Sequence, residues 1–107
     1  MTTFDDRERA FEAKYARDEE MKFRLAARRN KLLGLWAAGL MGLSEVEAEA
    51  YARDVVRADF EEAGDEDVIR KLLGDLTSAG VDTDEARIRG ALADRTVEAK
   101  RQLVEGQ

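Results

Sequence analysis

The absence of proline from all 107 residues constrains the fold of this chain more than any other sequence feature. Proline ends helices and is otherwise largely confined to turns and strand edges, so a chain without it can continue a helix wherever other signals allow. Runs of β-branched residues are also scarce, which removes the main signal for strands. The sequence therefore predicts an all-α protein.

Capping signals predict where the first two helices begin and end. The first helical pattern begins near Thr3 and runs to Gly42, since no breaker interrupts it. Ser44 followed by Glu47 forms a capping box, which predicts a second helix over about residues 45–63.

Similar signals predict two further helices in the second half of the chain. Asp65 can cap a third helix over about residues 66–76. Turn-forming residues at 77–80 predict a loop. Asp82 with Glu85 then forms another capping box, which opens the last helix.

Apolar residues repeat at helical spacing along one side of each predicted helix. The predicted inner faces are Met21, Leu25, Leu32 and Trp36 in the first helix, Val46, Ala50, Tyr51, Val55, Val56, Phe60 and Ala63 in the second, Val68, Ile69, Leu72, Leu73 and Leu76 in the third, and Ile88, Leu92, Ala99 and Leu103 in the fourth. Gly34 and Gly39 would let a neighbouring helix approach closely. Short connections between such helices predict a compact four-helix bundle.

The beginning of the first helix differs from the rest of it. About half of its residues are charged, and its large apolar residues, Phe4, Phe11 and Tyr15, lie within about 40° of one another on a helix. The bundle-facing stripe is rotated from them by about 70°, so it does not continue into this segment. Ordering about fifteen residues costs about 1–2 kcal/mol each, and three buried aromatics return only about 1.5–3 kcal/mol each. We therefore expect an arm over residues 1–19, frayed or disordered when free and helical in a partner's groove, followed by a four-helix domain over residues 20–107.

A second interpretation of this segment stays open. A polar amphipathic stretch can also be the solvated end of a helix that packs on its own domain. The first interpretation favours an interaction protein, whereas the second leaves the function unassigned.

The absence of cysteine and histidine excludes several classes of chemistry. Without them the chain cannot form disulfides, the usual zinc sites or a nucleophile activated by histidine. The remaining residues do not combine into a nucleophile, a base and an orienting group. We therefore expect no enzymatic activity, no catalytic residues, no metal site and no cofactor.

The formal charge of −6 argues against a general affinity for nucleic acid. The exception is a basic run in the first helix, consisting of Lys22, Arg24, Arg28, Arg29 and Lys31. We interpret it as a solvated helix face, with contact to phosphates as the alternative. The glycines show no phosphate-loop spacing, so nucleotide binding by the bundle has no motif to support it and stays open.

Carboxylates cluster between the second and third predicted helices, at Glu61, Glu62, Asp65, Glu66 and Asp67. They lack the alternating order and closing glutamate of a calcium loop. We therefore interpret the cluster as charge at a helix end.

The longest apolar run, residues 32–43, is interrupted by three glycines and is too short to cross a bilayer. The start of the chain does not resemble a signal peptide. We therefore expect a soluble, intracellular protein that is monomeric when free.

Two blocks of the sequence are recognisable, FDDRERAFEAKYARDEEMKFRLAARRNKLLGLWAAGLMG and AEAYARDVVRADFEEAGDEDVIRKL. They closely resemble the zeta subunit of alphaproteobacterial F-type ATP synthases. The resemblance covers residues 1 to about 73, and over the last helix only the capped amphipathic pattern remains.

The resemblance implies an inhibitory regulatory subunit of the ATP synthase. In that family the N-terminal segment inserts at a catalytic interface between the alpha and beta subunits and reaches toward gamma, while the four-helix domain stays outside. Bound there, it stops ATP hydrolysis by blocking rotation in one direction, and rotation in the synthesis direction expels it. The implied location is cytoplasmic, on the inner face of the plasma membrane through the synthase.

The resemblance also implies that the N-terminal segment carries the partner-binding residues. Those that we expect to make the contacts are Thr3, Phe4, Asp5, Asp6, Arg7, Arg9, Ala10, Phe11, Lys14, Tyr15, Arg17 and Asp18. From the helical spacing, we expect the aromatic residues to be buried anchors and the cations to make charged contacts. The alternative is a non-inhibitory helical adaptor, or a small-ligand-binding module, that retains the fold without the target.

Overall fold

The computed structural model of the chain describes residues 19–61 and 65–106. Within these ranges the chain forms four helices and no strand. The helices are α1 (Glu19–Leu40), α2 (Glu45–Glu61), α3 (Asp65–Ser78) and α4 (Glu85–Glu105). This confirms the predicted all-α class and four-helix bundle.

The connection between α1 and α2 follows the predicted capping signals. Gly42 has a φ of 73°, and the N–H of Leu43 donates to the carbonyl of Ala38 over 3.1 Å, which closes α1. The capping box is also confirmed, because the Ser44 N–H donates to Glu47 Oε1 over 2.9 Å and the Glu47 N–H donates to Ser44 Oγ over 3.2 Å. These two hydrogen bonds stabilise the carboxylate and lower the pKa of Glu47.

Helix α3 is longer than predicted at both ends. Asp65 is its first residue rather than its cap, and the helix continues to Ser78, so the predicted loop at 77–80 was wrong for its first two residues. Gly80 has a φ of 80°, and the N–H of Val81 donates to the carbonyl of Leu76 over 2.9 Å. Because this left-handed ending needs glycine, its place is set by Gly80 and not by the weak helix propensity of the residues before it.

The start of α4 also differs from the prediction. Its N-cap is Asp84, whose side chain accepts from the N–H of Arg87 over 2.8 Å. The predicted capping box of Asp82 and Glu85 was therefore wrong, since Glu85 is already the first helical residue. Two acidic residues that are two positions apart can both serve as caps, and the sequence pattern favoured the earlier one.

Helix α1 lies at the centre of the bundle and contacts each of the other three helices. The core contains residues from all four helices, namely Leu33, Ala37, Val55, Val68, Ile69, Leu72, Leu76, Ile88, Ala91 and Leu92. The predicted inner faces of α3 and α4 are confirmed, with Leu73 and Leu103 only partly buried.

The predicted inner face of α1 was only partly right. Met21 is buried, but Leu25, Leu32 and Trp36 are only partly buried. The side chains of α1 that are entirely shielded from solvent are Asn30, Leu33, Ala37 and Ala38. Because three helices pack around α1, its buried sector is wide, and the predicted stripe lies at the border of that sector.

The predicted inner face of α2 was rotated from the real one. Val46 is 79% exposed and Ala50 is also exposed, whereas Ala52 and Val55 are buried. The side chain of Phe60, and Ala63, lie outside the described residues. Hydropathy weights valine above alanine, but the tight contact between α1 and α2 requires a small residue, so the pattern placed the wrong face inward.

The contact between α1 and α2 depends on Gly34. A Cβ at this position would lie 2.7 Å from the Cα of Ala52 and 3.2 Å from Cγ2 of Val55. The first distance is far below van der Waals contact and involves backbone, so the two helices would have to move apart. Gly34 therefore sets how closely α1 and α2 approach.

A hydrogen-bonded cluster joins α2 to α3. Tyr51 donates its hydroxyl proton to Asp75 Oδ2 over 2.8 Å, and Lys71 Nζ donates to the same oxygen over 3.0 Å. The Lys71 ammonium also lies 5.2 Å from the centre of the Tyr51 ring. Burial of the phenol, together with the carboxylate of Asp75, raises the pKa of Tyr51 well above its ordinary value.

We predict that Gly34→Ala lowers the free energy of unfolding by about 1–3 kcal/mol, because the added methyl group separates α1 from α2. Gly90→Ala is the matched control, since Gly90 lies inside α4 and a Cβ added there would meet no atom within 4 Å. We expect this control to gain about 0.5–1 kcal/mol from helix propensity. Urea denaturation followed by circular dichroism measures both. Equal effects of the two substitutions would contradict the close packing at Gly34.

We predict that Tyr51 makes stability fall at alkaline pH. Its folded-state pKa lies above the unfolded value of about 10, so its contribution is fully present below about pH 10 and is lost as the pH rises toward the folded-state value. Tyr51→Phe removes one hydrogen bond and costs about 0.5–1.5 kcal/mol at neutral pH. Above about pH 10 the wild type should converge on the variant. Parallel curves of unfolding free energy against pH would contradict this assignment.

Candidate functional site

The twelve predicted partner-binding residues, from Thr3 to Asp18, all lie outside the described residues. The predicted arm is therefore untested by the structure and stays a prediction. The described part of the chain shows the surface to which the arm is joined, namely the first turns of α1 and the groove beside them.

The first turns of α1 are fixed to the bundle. Met21 is only 6% exposed, so burial begins within the first turn of the helix. Glu20 pairs with Arg24 one turn later over 3.0 Å. Arg28 Nη1 donates to Oε1 of Gln102 in α4 over 3.0 Å, which joins the two helices near the C-terminal end of α4. Whatever precedes Glu19 is thus attached to a helix that is already anchored.

One residue of the predicted basic face has a mainly structural role. The Arg29 side chain is only 13% exposed and pairs with Asp65, the first residue of α3, over 3.0 Å. Its Nε also donates to Oδ1 of Asn30 over 3.1 Å. Asn30 is fully buried, and its Nδ2 has no hydrogen-bond partner among the described residues. Arg29 therefore holds α1 to the start of α3 and is not part of a solvated face.

The described carboxylates of the acidic cluster are each paired with a guanidinium group. Besides the pair of Asp65 with Arg29, Glu66 pairs with Arg89 over 2.6 Å and Asp67 with Arg70 over 2.9 Å. Within the described ranges, no group of three or more acidic residues is arranged to hold a metal ion. These pairings agree with the interpretation of the cluster as charge at a helix end.

A groove runs along α1 between α2 and α4. Its larger part has a volume of about 510 Å³ and is lined by Arg24, Ala27, Arg28, Lys31, Val56 and Leu103. A second part of about 300 Å³ is lined by Lys31, Glu49, Ala52, Arg53 and Val56. Since the two parts share Lys31 and Val56, they form one surface, which we call the basic groove.

The basic groove combines unneutralised positive charge with an apolar floor. Lys31 and Arg53 form no ion pair with any described residue, and Arg28 is bonded to the neutral amide of Gln102. Among the described lining residues, Glu49 is the one carboxylate. Sequence reasoning had found the cations of α1, but it missed Arg53, which joins them only because α2 packs on α1.

Residues 1–102 match the family of ATPase inhibitor subunit zeta. The chain belongs to this family. It is therefore a regulatory, non-catalytic protein that associates with the ATP synthase. The match includes the whole predicted arm and ends in α4, so it extends beyond residue 73, where the resemblance seen in the sequence had weakened.

A solved structure supports the fold of this zeta-family chain. The chain is similar to a protein whose solution NMR structure shares 50% sequence identity with it, with a TM-score of 0.72. The alignment covers 81% of this chain and 99% of that one. No match was found among curated proteins.

None of the helices in the described part of the chain is long and apolar enough to cross a membrane. Its association with the synthase therefore does not depend on a spanning segment in that part.

Proposed function

We propose that this chain inhibits ATP hydrolysis by inserting residues 1–19 at a catalytic interface between the alpha and beta subunits, near gamma. The observation that carries the proposal is the family match, which includes the N-terminal segment as well as the bundle. The amphipathic spacing of Phe4, Phe11 and Tyr15 supports it, because it gives that segment one apolar side for a partner's groove.

The proposed division of labour follows from the energetics of the two parts. The bundle has its own core, which includes the central helix α1. The N-terminal segment has only three large aromatic side chains to offset the entropy of ordering, so the partner must supply the remaining stabilisation. Folding on the partner places a rigid helix between subunits that must move during hydrolysis. In this arrangement the bundle stays outside the catalytic interface, and the synthase holds the chain at the membrane surface.

We predict that deleting residues 2–18 abolishes inhibition while the bundle stays folded. The reason is that the described core begins at Met21, after the deleted segment. Phe11→Ala in the full chain should weaken inhibition by about tenfold or more, as truncation of a buried anchor does. The measurement is the rate of ATP hydrolysis by the cognate synthase as a function of inhibitor concentration, with thermal unfolding of each variant as the control for folding.

Two outcomes would contradict this proposal. The first is unchanged inhibition by the truncated chain, which would place the inhibitory surface on the bundle. The second is no inhibition by the full chain or by a peptide of residues 1–19 at micromolar concentration. The second result would favour a helical adaptor that has kept the fold without the inhibitory activity.

We predict that inhibition changes little between about pH 6 and pH 8. The chain has no histidine, the residue whose ordinary pKa lies in that interval. The pKa of Glu47 is lowered and that of Tyr51 is raised, so both shifts carry the titration further from neutrality. The N-terminal amine is the group with an ordinary pKa near this interval, and an N-acetylated chain controls for it. A steep loss of inhibition in both forms, after subtraction of the enzyme's own response, would contradict the prediction.

A further inference from the structure

We propose that the basic groove binds an acidic helical segment of a partner subunit and thereby docks the bundle on the outside of the ATP synthase. The inference rests on the proposed function only for the identity of the partner. Its own basis is the charge, the floor and the shape of the groove.

The charge of the groove is opposite to that of the whole protein. The chain carries a formal charge of −6, yet Arg24, Arg28, Lys31 and Arg53 line one groove in which Glu49 is the one described carboxylate. Most other cations on the described surface that can be assigned a partner are paired with carboxylates, as Arg70 and Arg89 are in the cluster near α3. Cations left without counter-charges on an acidic protein favour an anionic partner, because they attract it while the rest of the surface repels it.

The floor of the groove requires the partner to be partly apolar. Ala27, Val56 and Leu103 are partly exposed between the cations, and Ala52 lies beneath the second part. A ligand with charge only would leave these side chains in contact with water. A segment with small apolar residues between its carboxylates would cover them and gain about 25 cal/mol per Å² of apolar surface buried.

The shape of the groove favours a helix over a compact phosphate ligand. Arg24, Arg28 and Lys31 lie on successive turns of α1, about 5–6 Å apart, which matches carboxylates on successive turns of a second helix. The described lining contains no aromatic residue to stack on a base and no glycine to bring backbone amides to a phosphate. An acidic amphipathic helix therefore fits the observations better than a nucleotide does.

Docking of the bundle would strengthen the action of the arm. The groove and the arm belong to one anchored helix, α1, so binding at one site raises the effective concentration of the other. A weak contact in the groove is sufficient for this effect. The groove therefore needs neither deep burial nor a large interface to be functional.

The test compares charge reversals inside and outside the groove in the full-length chain. The groove variant is Lys31→Glu with Arg53→Glu, and the control is Arg70→Glu with Arg87→Glu, which changes the net charge equally on exposed positions of α3 and α4. Affinity for the detergent-solubilised ATP synthase is measured at low and high salt. We expect the groove variant to bind at least about tenfold more weakly at low salt and the control to stay close to wild type. Equal affinities, with both variants folded, would overturn the inference.

The chemistry of the occupant is tested separately with defined probes. A short helical peptide of glutamate, alanine and leucine, its counterpart with lysine for glutamate, and ATP are each titrated into the labelled full-length chain and followed by NMR. We expect only the glutamate peptide to shift the amide signals of Ala27, Val56 and Leu103. Equal binding of the lysine peptide, tighter binding of ATP in the groove, or self-association through it would each overturn the inference.

The two proposals can fail independently. If Phe4→Ala with Phe11→Ala removes inhibition and the groove variant binds like wild type, the proposed function stands and the docking inference falls. If the groove variant loses affinity while the phenylalanine variant still inhibits, the docking inference stands and the proposed role of the arm falls.

Discussion

The close approach of α1 and α2 at Gly34 is the constraint on which the rest of the structure depends. Because there is no side chain at Gly34, the backbone of α2 can lie against it at Ala52, and α1 becomes a central helix that the other three surround. The same approach brings Lys31 of α1 and Arg53 of α2 to one groove. A single missing methyl group thus determines both the packing of the core and the grouping of charge on the surface.

Local signals gave the fold class and much of the helix arrangement, whereas the packing faces needed the tertiary structure. The capping box of Ser44 and Glu47 and the glycine after α1 could be found from sequence because each depends on neighbours within a few residues. The buried face of α2 could not, since Ala52 is inside only because it meets Gly34. Hydropathy favoured Val46, which the structure leaves exposed.

The same distinction applies to the candidate sites. The aromatic spacing of the N-terminal segment is visible in the sequence, because all of its members belong to one helical pattern. The basic groove is not visible there, since its cations come from two helices and its floor from three. Arg29 shows the limit of the pattern from the other side. It belongs to the basic run, but its pair with Asp65 of α3 removes it from the surface.

The anchoring of α1 also limits how the two proposed sites can act together. Because Met21 is buried in the first turn and Arg28 is bonded to α4, this helix cannot change direction without disturbing the bundle. An arm that continues α1 as a helix would therefore leave the bundle in a fixed direction. Docking through the basic groove would then orient the arm as well as concentrate it, which restricts the partner interfaces that it can enter. Inhibition would depend on the angle between groove and arm, a property of α1 as a whole and not of either site by itself.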